Sequence, residues 1–182
     1  MKGIIFTSFM EFSEQQLGLE FVEGMLDDLR FSSGGAYTNV GTYPTEELLE
    51  MVGYILERHD LDPAALQHAF GEHTFGTLVA RYGKLVEQFQ DSFDCIYNVD
   101  QTIHKNVRKL YPEAELPDMK ASLSESGDQL TLEYSSVRPF MHLALGLIHG
   151  CIKHYGDAVE VHMTDLSDGA GTHAEFVLTR HV

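Results

Sequence analysis

The sequence predicts an α+β fold, with a helical N-terminal part packed on a C-terminal antiparallel sheet that carries helices. Three observations predict it. Apolar residues recur at helical spacing from Lys2 to Tyr111. From Met119 onward the pattern changes to short alternating runs containing Val, Thr, Tyr and Phe, as strands require. Two turn segments, 125–128 and 167–171, join those runs in pairs.

Each element has its own signal. Lys2 to Leu17 places apolar residues at 4, 5, 6, 9, 10 and 12, and Leu19 to Leu29 continues at 19, 21, 22, 25, 26 and 29. The stretch Phe31 to Tyr43 is rich in Gly, Ser and Thr and reads as a connection. Pro44-Thr45-Glu46-Glu47 opens a helix to about Arg58, its acidic first turn favourable beside the positive end of the helix dipole. Asp62-Pro63 supplies an N-cap and a first-position proline for a helix through about Tyr82. A further helix runs from about Asp91 to Tyr111, ended by Pro112. Met119–Ser124 and Gln129–Val137 read as one hairpin, and Val159–Leu166 and Thr172–Arg180 as another. Between them Pro139 opens a helix, Phe140 to Tyr155, closed by Gly156. The chain reads as a single domain with a helical subdomain over 1–62 and an α+β subdomain over 63–182.

Composition excludes several classes. With 12 basic against 28 acidic residues, a formal charge of −16, the chain repels a phosphate backbone, so no nucleic acid is expected as a partner. An anionic membrane surface is disfavoured for the same reason. No apolar run is long enough to span a bilayer, and the N-terminus lacks the apolar core and cleavage site of a signal peptide. Cys95 and Cys151 fall on separate predicted helices and form no CxxC pair, which suits a reduced, cytoplasmic protein.

Two features carry chemistry. Tyr134, Ser136 and Arg138 are spaced two apart on a predicted strand and so share a face. Two hydroxyls and a guanidinium in a row suit a flat ligand with two carboxylates, Arg gripping one bidentately. An ordinary solvated strand face is the alternative. The second feature is His104, beside the apolar stripe Phe89, Phe93, Ile96, Ile103, Val107 and Leu110. A histidine at a stripe's edge can point inward with one ring nitrogen free for a metal, or simply bond a backbone carbonyl. The other histidines lack chelating spacing: no HExxH occurs, His149 and His154 are five apart, and Glu72-His73 has no matching partner along the chain.

Read together, these residues resemble the H-NOX family, the heme-nitric oxide/oxygen binding domains related to the heme domain of soluble guanylate cyclase. The resemblance rests on Ile103-His-Lys-Asn-Val-Arg-Lys-Leu-Tyr-Pro-Glu-Ala-Glu-Leu-Pro117 followed by Tyr134-x-Ser136-x-Arg138. Met1-Lys-Gly-Ile-Ile-Phe6, Phe70-Gly-Glu-His73 and Leu145-Gly-Leu-Ile-His-Gly150 look like the family too, so it covers essentially the whole chain. The resemblance implies a stand-alone bacterial sensor with heme b (iron protoporphyrin IX) between the two parts. It implies that the 63–182 subdomain ligates the heme, with His104 as the proximal iron ligand. Tyr134, Ser136 and Arg138 would hold the propionates, and Pro117 would press on the porphyrin and distort it.

The resemblance also bears on the gas. Oxygen-binding members carry a distal tyrosine whose matching position here, five residues beyond Arg138, is Leu143. Matching positions for the rest of the distal wall are Ile5, Phe9, Thr74, Leu78 and Leu147. All but Thr74 are apolar, and bound O2 needs an aimed donor that bound NO does not. Nitric oxide, with carbon monoxide as a further ligand, is therefore expected at a five-coordinate ferrous heme. His142, adjacent to Leu143, is expected to point about 100° away from the pocket. The chain shows no nucleophile–base pair and no phosphate-binding glycine loop, so no enzyme activity is expected. The family implies that release of His104 passes the signal to a separate histidine kinase or cyclic-di-GMP enzyme. Competing readings are an oxygen-binding sensor, a heme-free metal-dependent enzyme, and a thiol sensor using Cys95 and Cys151.

Overall fold

A computed structural model describes residues 1–180. Among them lie seven α-helices, one π-helical turn and one four-stranded antiparallel sheet, an α+β fold as the sequence predicts. The chain divides into two compact units, Met1–Leu66 and Gln67–Val182. No described helix is long and apolar enough to cross a membrane.

The first unit holds α1 (Gly3–Leu17), α2 (Leu19–Leu29) and α3 (Thr45–Arg58). Gly18, at φ +88°, breaks the chain between α1 and α2, a conformation that glycine adopts without strain. Phe6, Phe12, Val22, Met25, Leu48, Met51 and Ile55 are buried. The predicted connection 31–43 is ordered by one carboxylate. Glu47, buried on α3, accepts from the Ser32 hydroxyl (3.1 Å), the Ser33 hydroxyl (2.7 Å) and the Tyr37 hydroxyl (2.9 Å). The Tyr37 ring then stacks on Phe6, with centroids 4.7 Å apart. One ionised acid thus organises a loop that has little apolar content of its own.

The second unit contains most of α4 (Pro63–Val86), then α5 (Ser92–Tyr97), α6 (Lys105–Leu110) and α7 (Met141–Tyr155). Its sheet comprises β1 (Asp118–Leu123), β2 (Gln129–Ser135), β3 (Val159–Asp165) and β4 (His173–Arg180), in the order β1-β2-β4-β3. Alternation aims Leu130, Leu132 and Tyr134 of β2 at one face, beside Leu178, Phe176 and Ala174 of β4 directly opposite. Met141, Ala144, Ile148, Cys151 and Ile152 of α7 join the same core. Full burial of side chains like Phe176 and Leu178 contributes roughly 1.5–3 kcal/mol each.

Two expectations are corrected. The single helix over 91–111 is three pieces: α5, a π-helical turn over Val99–His104, and α6. Asn98 draws on the Asp94 carbonyl and carboxylate (both 2.9 Å), so side chains compete with regular helical bonding here. The turn shifts the helical phase of the residues beyond it, and Leu110, expected on the apolar stripe, is 70% exposed. The strand expected to reach Val137 ends at Ser135. There the Ser136 hydroxyl accepts from the Arg138 N–H (3.1 Å), a local turn that replaces ladder bonding.

Burial opposes ionisation of Glu47, but hydrogen bonds from Ser33, Tyr37 and Ser32 outweigh it and hold the carboxyl below its ordinary range. Its contribution is therefore present above the ordinary carboxylate range and lost as pH falls through the lowered value. Glu47→Gln is expected to cost about 2 kcal/mol of unfolding free energy at neutral pH. Urea melts check this: the gap to the parent should be wide at neutral pH and shrink on acidification, and an unchanging gap refutes the assignment.

Candidate functional site

The histidine of interest sits at the last position of the π-helical turn. Such turns open the backbone ladder and recur at functional positions. The His104 side chain is 12% exposed, and its Nδ1 lies 3.4 Å from Asp100 Oδ1, one turn earlier. The same carboxylate oxygen accepts from the Arg108 guanidinium at 3.1 Å. Burial, against the pull of Asp100, holds His104 below the usual histidine range, so the imidazole is neutral at pH 7. With the proton on Nδ1 facing Asp100, Nε2 carries the lone pair. A carboxylate behind one ring nitrogen fixes the orientation of the other, as in metal-bound histidines.

Tyr134, Ser136 and Arg138 also come together. Tyr134 is buried at the end of β2, its ring 6.3 Å from Phe176. Burial raises its phenol, while a hydrogen bond with Ser136 and the charge of Arg138 oppose the rise. The Arg138 side chain, 15% exposed, bonds the Glu115 carbonyl (3.3 Å) and forms an ion pair with the Glu115 carboxylate. Glu115 lies two residues before Pro117, which is half-buried and immediately precedes β1. The segment is braced from below: Ser136 N–H bonds the Thr172 carbonyl (2.8 Å), and Met141 N–H bonds the Gly171 carbonyl (3.1 Å). Gly171, at φ +70°, turns the β3–β4 connection under the start of α7.

The residues expected on the distal wall fall in two places. Ile5 and Phe9 are one turn apart on α1, in the first unit. Thr74 and Leu78 are one turn apart on α4, and Leu143 and Leu147 one turn apart on α7. These two helices meet at glycine. A Cβ on Gly71 would stand 2.8 Å from Gly146 Cα and 2.9 Å from Leu147 N, so neither glycine admits a side chain. Thr74 is buried, while Leu78, Leu143 and Leu147 are half-buried. Hydrogen bonds from Ser167 hold the Asp165 carboxyl low, and the charge of nearby His142 adds to this.

One association was missed in the sequence. Cys95 of α5 and Cys151 of α7 are both buried, free thiols that share a hydrogen bond. That bond and burial push the Cys151 thiol up, which makes it a poor nucleophile. Sequence spacing carried no signal because the contact is made between helices.

The donor set fits a heme. A neutral, oriented imidazole suits one axial position of iron. Arg138 already grips a carboxylate, that of Glu115, with two hydroxyls alongside, as a propionate anchor requires.

Comparison with known proteins points the same way. The model of a family described as Haem-NO-binding matches residues 2–163. The chain is similar to an Fe(II) unliganded H-NOX protein from K. algicida, at 30% identity and TM-score 0.91, covering 100% of this chain and 97% of that one. It is similar to an H-NOX protein from S. oneidensis in the Fe(II)NO state, at 25% identity and TM-score 0.92, covering 100% of both. It is also similar to the IWP-051-bound H-NOX from Shewanella woodyi in the Fe(II)CO state, at 33% identity and TM-score 0.84, covering 100% and 95%. No curated protein matches it.

Two variants test the donor assignments. His104→Gly should yield protein that retains heme only when imidazole is supplied, read from the absorption of purified samples; a normal spectrum without imidazole refutes ligation. Arg138→Ala should speed heme transfer to apomyoglobin on the order of tenfold or more, the loss of one charge-assisted anchor. Unchanged transfer refutes the propionate role.

Proposed function

This chain belongs to the Haem-NO-binding family, the heme-based gas sensors, and on that premise we propose that it senses nitric oxide at a five-coordinate ferrous heme b and signals to a separate protein. The observation that carries the choice of gas is Leu143. It stands where a donor to bound oxygen would be needed, and it offers only methyl groups. Leu78, Leu147, Ile5 and Phe9 are equally without donors, which leaves the buried Thr74 hydroxyl as the one donor among the matched wall positions. His142, the nearest polar neighbour in sequence, is one residue out of step on the helix and so points about 100° from Leu143. Relatives support the gas class: the S. oneidensis protein is described with NO and the S. woodyi protein with CO. Carbon monoxide is accordingly a second expected ligand.

A ferrous heme, when bound, would supply the iron at which a gas is taken up, with His104 as its protein ligand. The chain's residues do the rest. His104 coordinates through Nε2 while Asp100 holds Nδ1, so the ring stays neutral and oriented. Tyr134, Ser136 and Arg138 anchor the propionates, and Pro117, rigid and without an N–H, bears on the ring. Release of His104 would free the π-helical turn that carries it, and with it α5 and α6 on either side. That is a two-state element biased by a ligand.

The output lies in another protein. The chain has no nucleophile–base pair in this site, and we assign it no catalytic role. A histidine kinase or a cyclic-di-GMP enzyme in the cytoplasm is the proposed recipient. The charge of −16 suits a partner with a basic docking patch.

An anaerobic absorption titration tests the reading. The ferrous protein should convert on adding NO to a five-coordinate nitrosyl spectrum, and exposure of the unliganded ferrous form to air should give no stable oxy species. A persistent oxy spectrum overturns the choice of gas while leaving the heme assignment intact.

A further inference from the structure

A second cluster of metal-ligating side chains lies in the Gln67–Val182 unit, made of residues none of which is assigned to the heme. His68 and Glu72 stand one turn apart on α4 and share a face. His149 of α7 meets them, 81 residues from His68 along the chain. His68 Nε2 is 2.6 Å from His149 Nδ1 and 3.8 Å from Glu72 Oε1, and one ligand atom from each of the three lies within 4.8 Å of the others. We propose that His68, Glu72 and His149 bind Zn2+ or a similar divalent first-row metal, with the fourth position left to water.

The backbone builds this cluster. Gly146 and Gly150 are one turn apart on α7 and flank His149 on its N- and C-terminal sides. A Cβ on Gly146 would run into the His68 carbonyl, and one on Gly150 would stand 3.3 Å from the Glu72 carbonyl. The two glycines therefore seat α7 against the turn of α4 that bears both other ligands. Close helix approach at small residues fixes the ligand spacing more tightly than flexible side chains could.

The chemistry selects the ion. Two imidazoles and one carboxylate form the three-ligand set of zinc sites that keep an open position. Calcium and magnesium take oxygen ligands and are disfavoured. Among N/O-bound divalent ions, zinc binds more tightly than iron(II) or manganese(II). Zinc at about 2.0–2.1 Å from each nitrogen sets two imidazole nitrogens ~3.3 Å apart, so the rings need to part by only ~0.7 Å. Side-chain exposures of 30% for His68 and 37% for Glu72 leave an entry path and room for water.

The test uses the heme-loaded full chain stripped of adventitious metal. Zn2+ is titrated against a chromophoric chelator, and bound zinc is counted by elemental analysis. One equivalent per chain is expected. His149→Ala and Glu72→Ala should each weaken binding on the order of tenfold or more while the heme spectrum is kept. Zinc should raise the melting temperature of the parent and not of the variants. No uptake by the parent, or either variant binding zinc like the parent, overturns the proposal. The intact heme spectrum separates that failure from any failure of the gas-sensing reading.

Discussion

The separation of α4 and α7 is set by a close approach at Gly71, Gly146 and Gly150, where backbone lies against backbone at Gly71 and Gly146. Everything that helix α7 positions is referred to that approach. One side of α7 packs Ala144, Ile148 and Cys151 into the core over β2 and β4. Another side lies so close to α4 that a methyl group at Gly71 or Gly146 has no space. Overpacking of this kind typically costs 1–3 kcal/mol, and here it would also separate the helices that bear Thr74, Leu78, Leu143 and Leu147. The apolar character of the candidate pocket is thus a matter of helix separation as much as of residue type.

Electrostatics act within this frame at three single acids. Asp100 orients His104 and is itself shared with Arg108. Glu115 occupies Arg138 beside Tyr134 and Ser136. Glu47 collects the hydroxyls of the 31–43 connection in the first unit. In a chain with 28 acidic residues, most acids face water and contribute little individually. The consequential ones are those placed against several donors at once.

Much of this was legible in the sequence. Alternation in Gln129–Ser135 and His173–Arg180 revealed both strands and their buried faces, because a half-buried strand writes its burial in a period of two. The Tyr134, Ser136 and Arg138 row was picked out as one strand face, yet only Tyr134 lies on the strand, and a local turn rather than alternation brings Ser136 and Arg138 beside it. The π-helical turn was not legible, since an added residue per turn leaves the composition of 99–104 ordinary and only changes phase. Leu110 was misassigned as a consequence. The Cys95–Cys151 contact and the His68, Glu72 and His149 cluster were invisible for a different reason. Each is made between helices distant in the chain, and spacing along one helix carries no trace of it.

The π-helical turn has a bearing on how this protein can change over evolutionary time. Its irregularity holds surplus backbone in the stretch directly before His104. A π-helical turn is ordinary helix that has absorbed one extra residue, so losing one residue from this stretch would heal it and leave the helices on either side in place. The setting of His104 would change all the same if the lost residue lay between it and Asp100, because their i,i+4 spacing would be gone. The setting of His104 thus depends on the number of residues in the turn as well as on the identity of Asp100. Substitutions at positions of the turn other than Asp100 and His104 should therefore be better tolerated there than insertions and deletions.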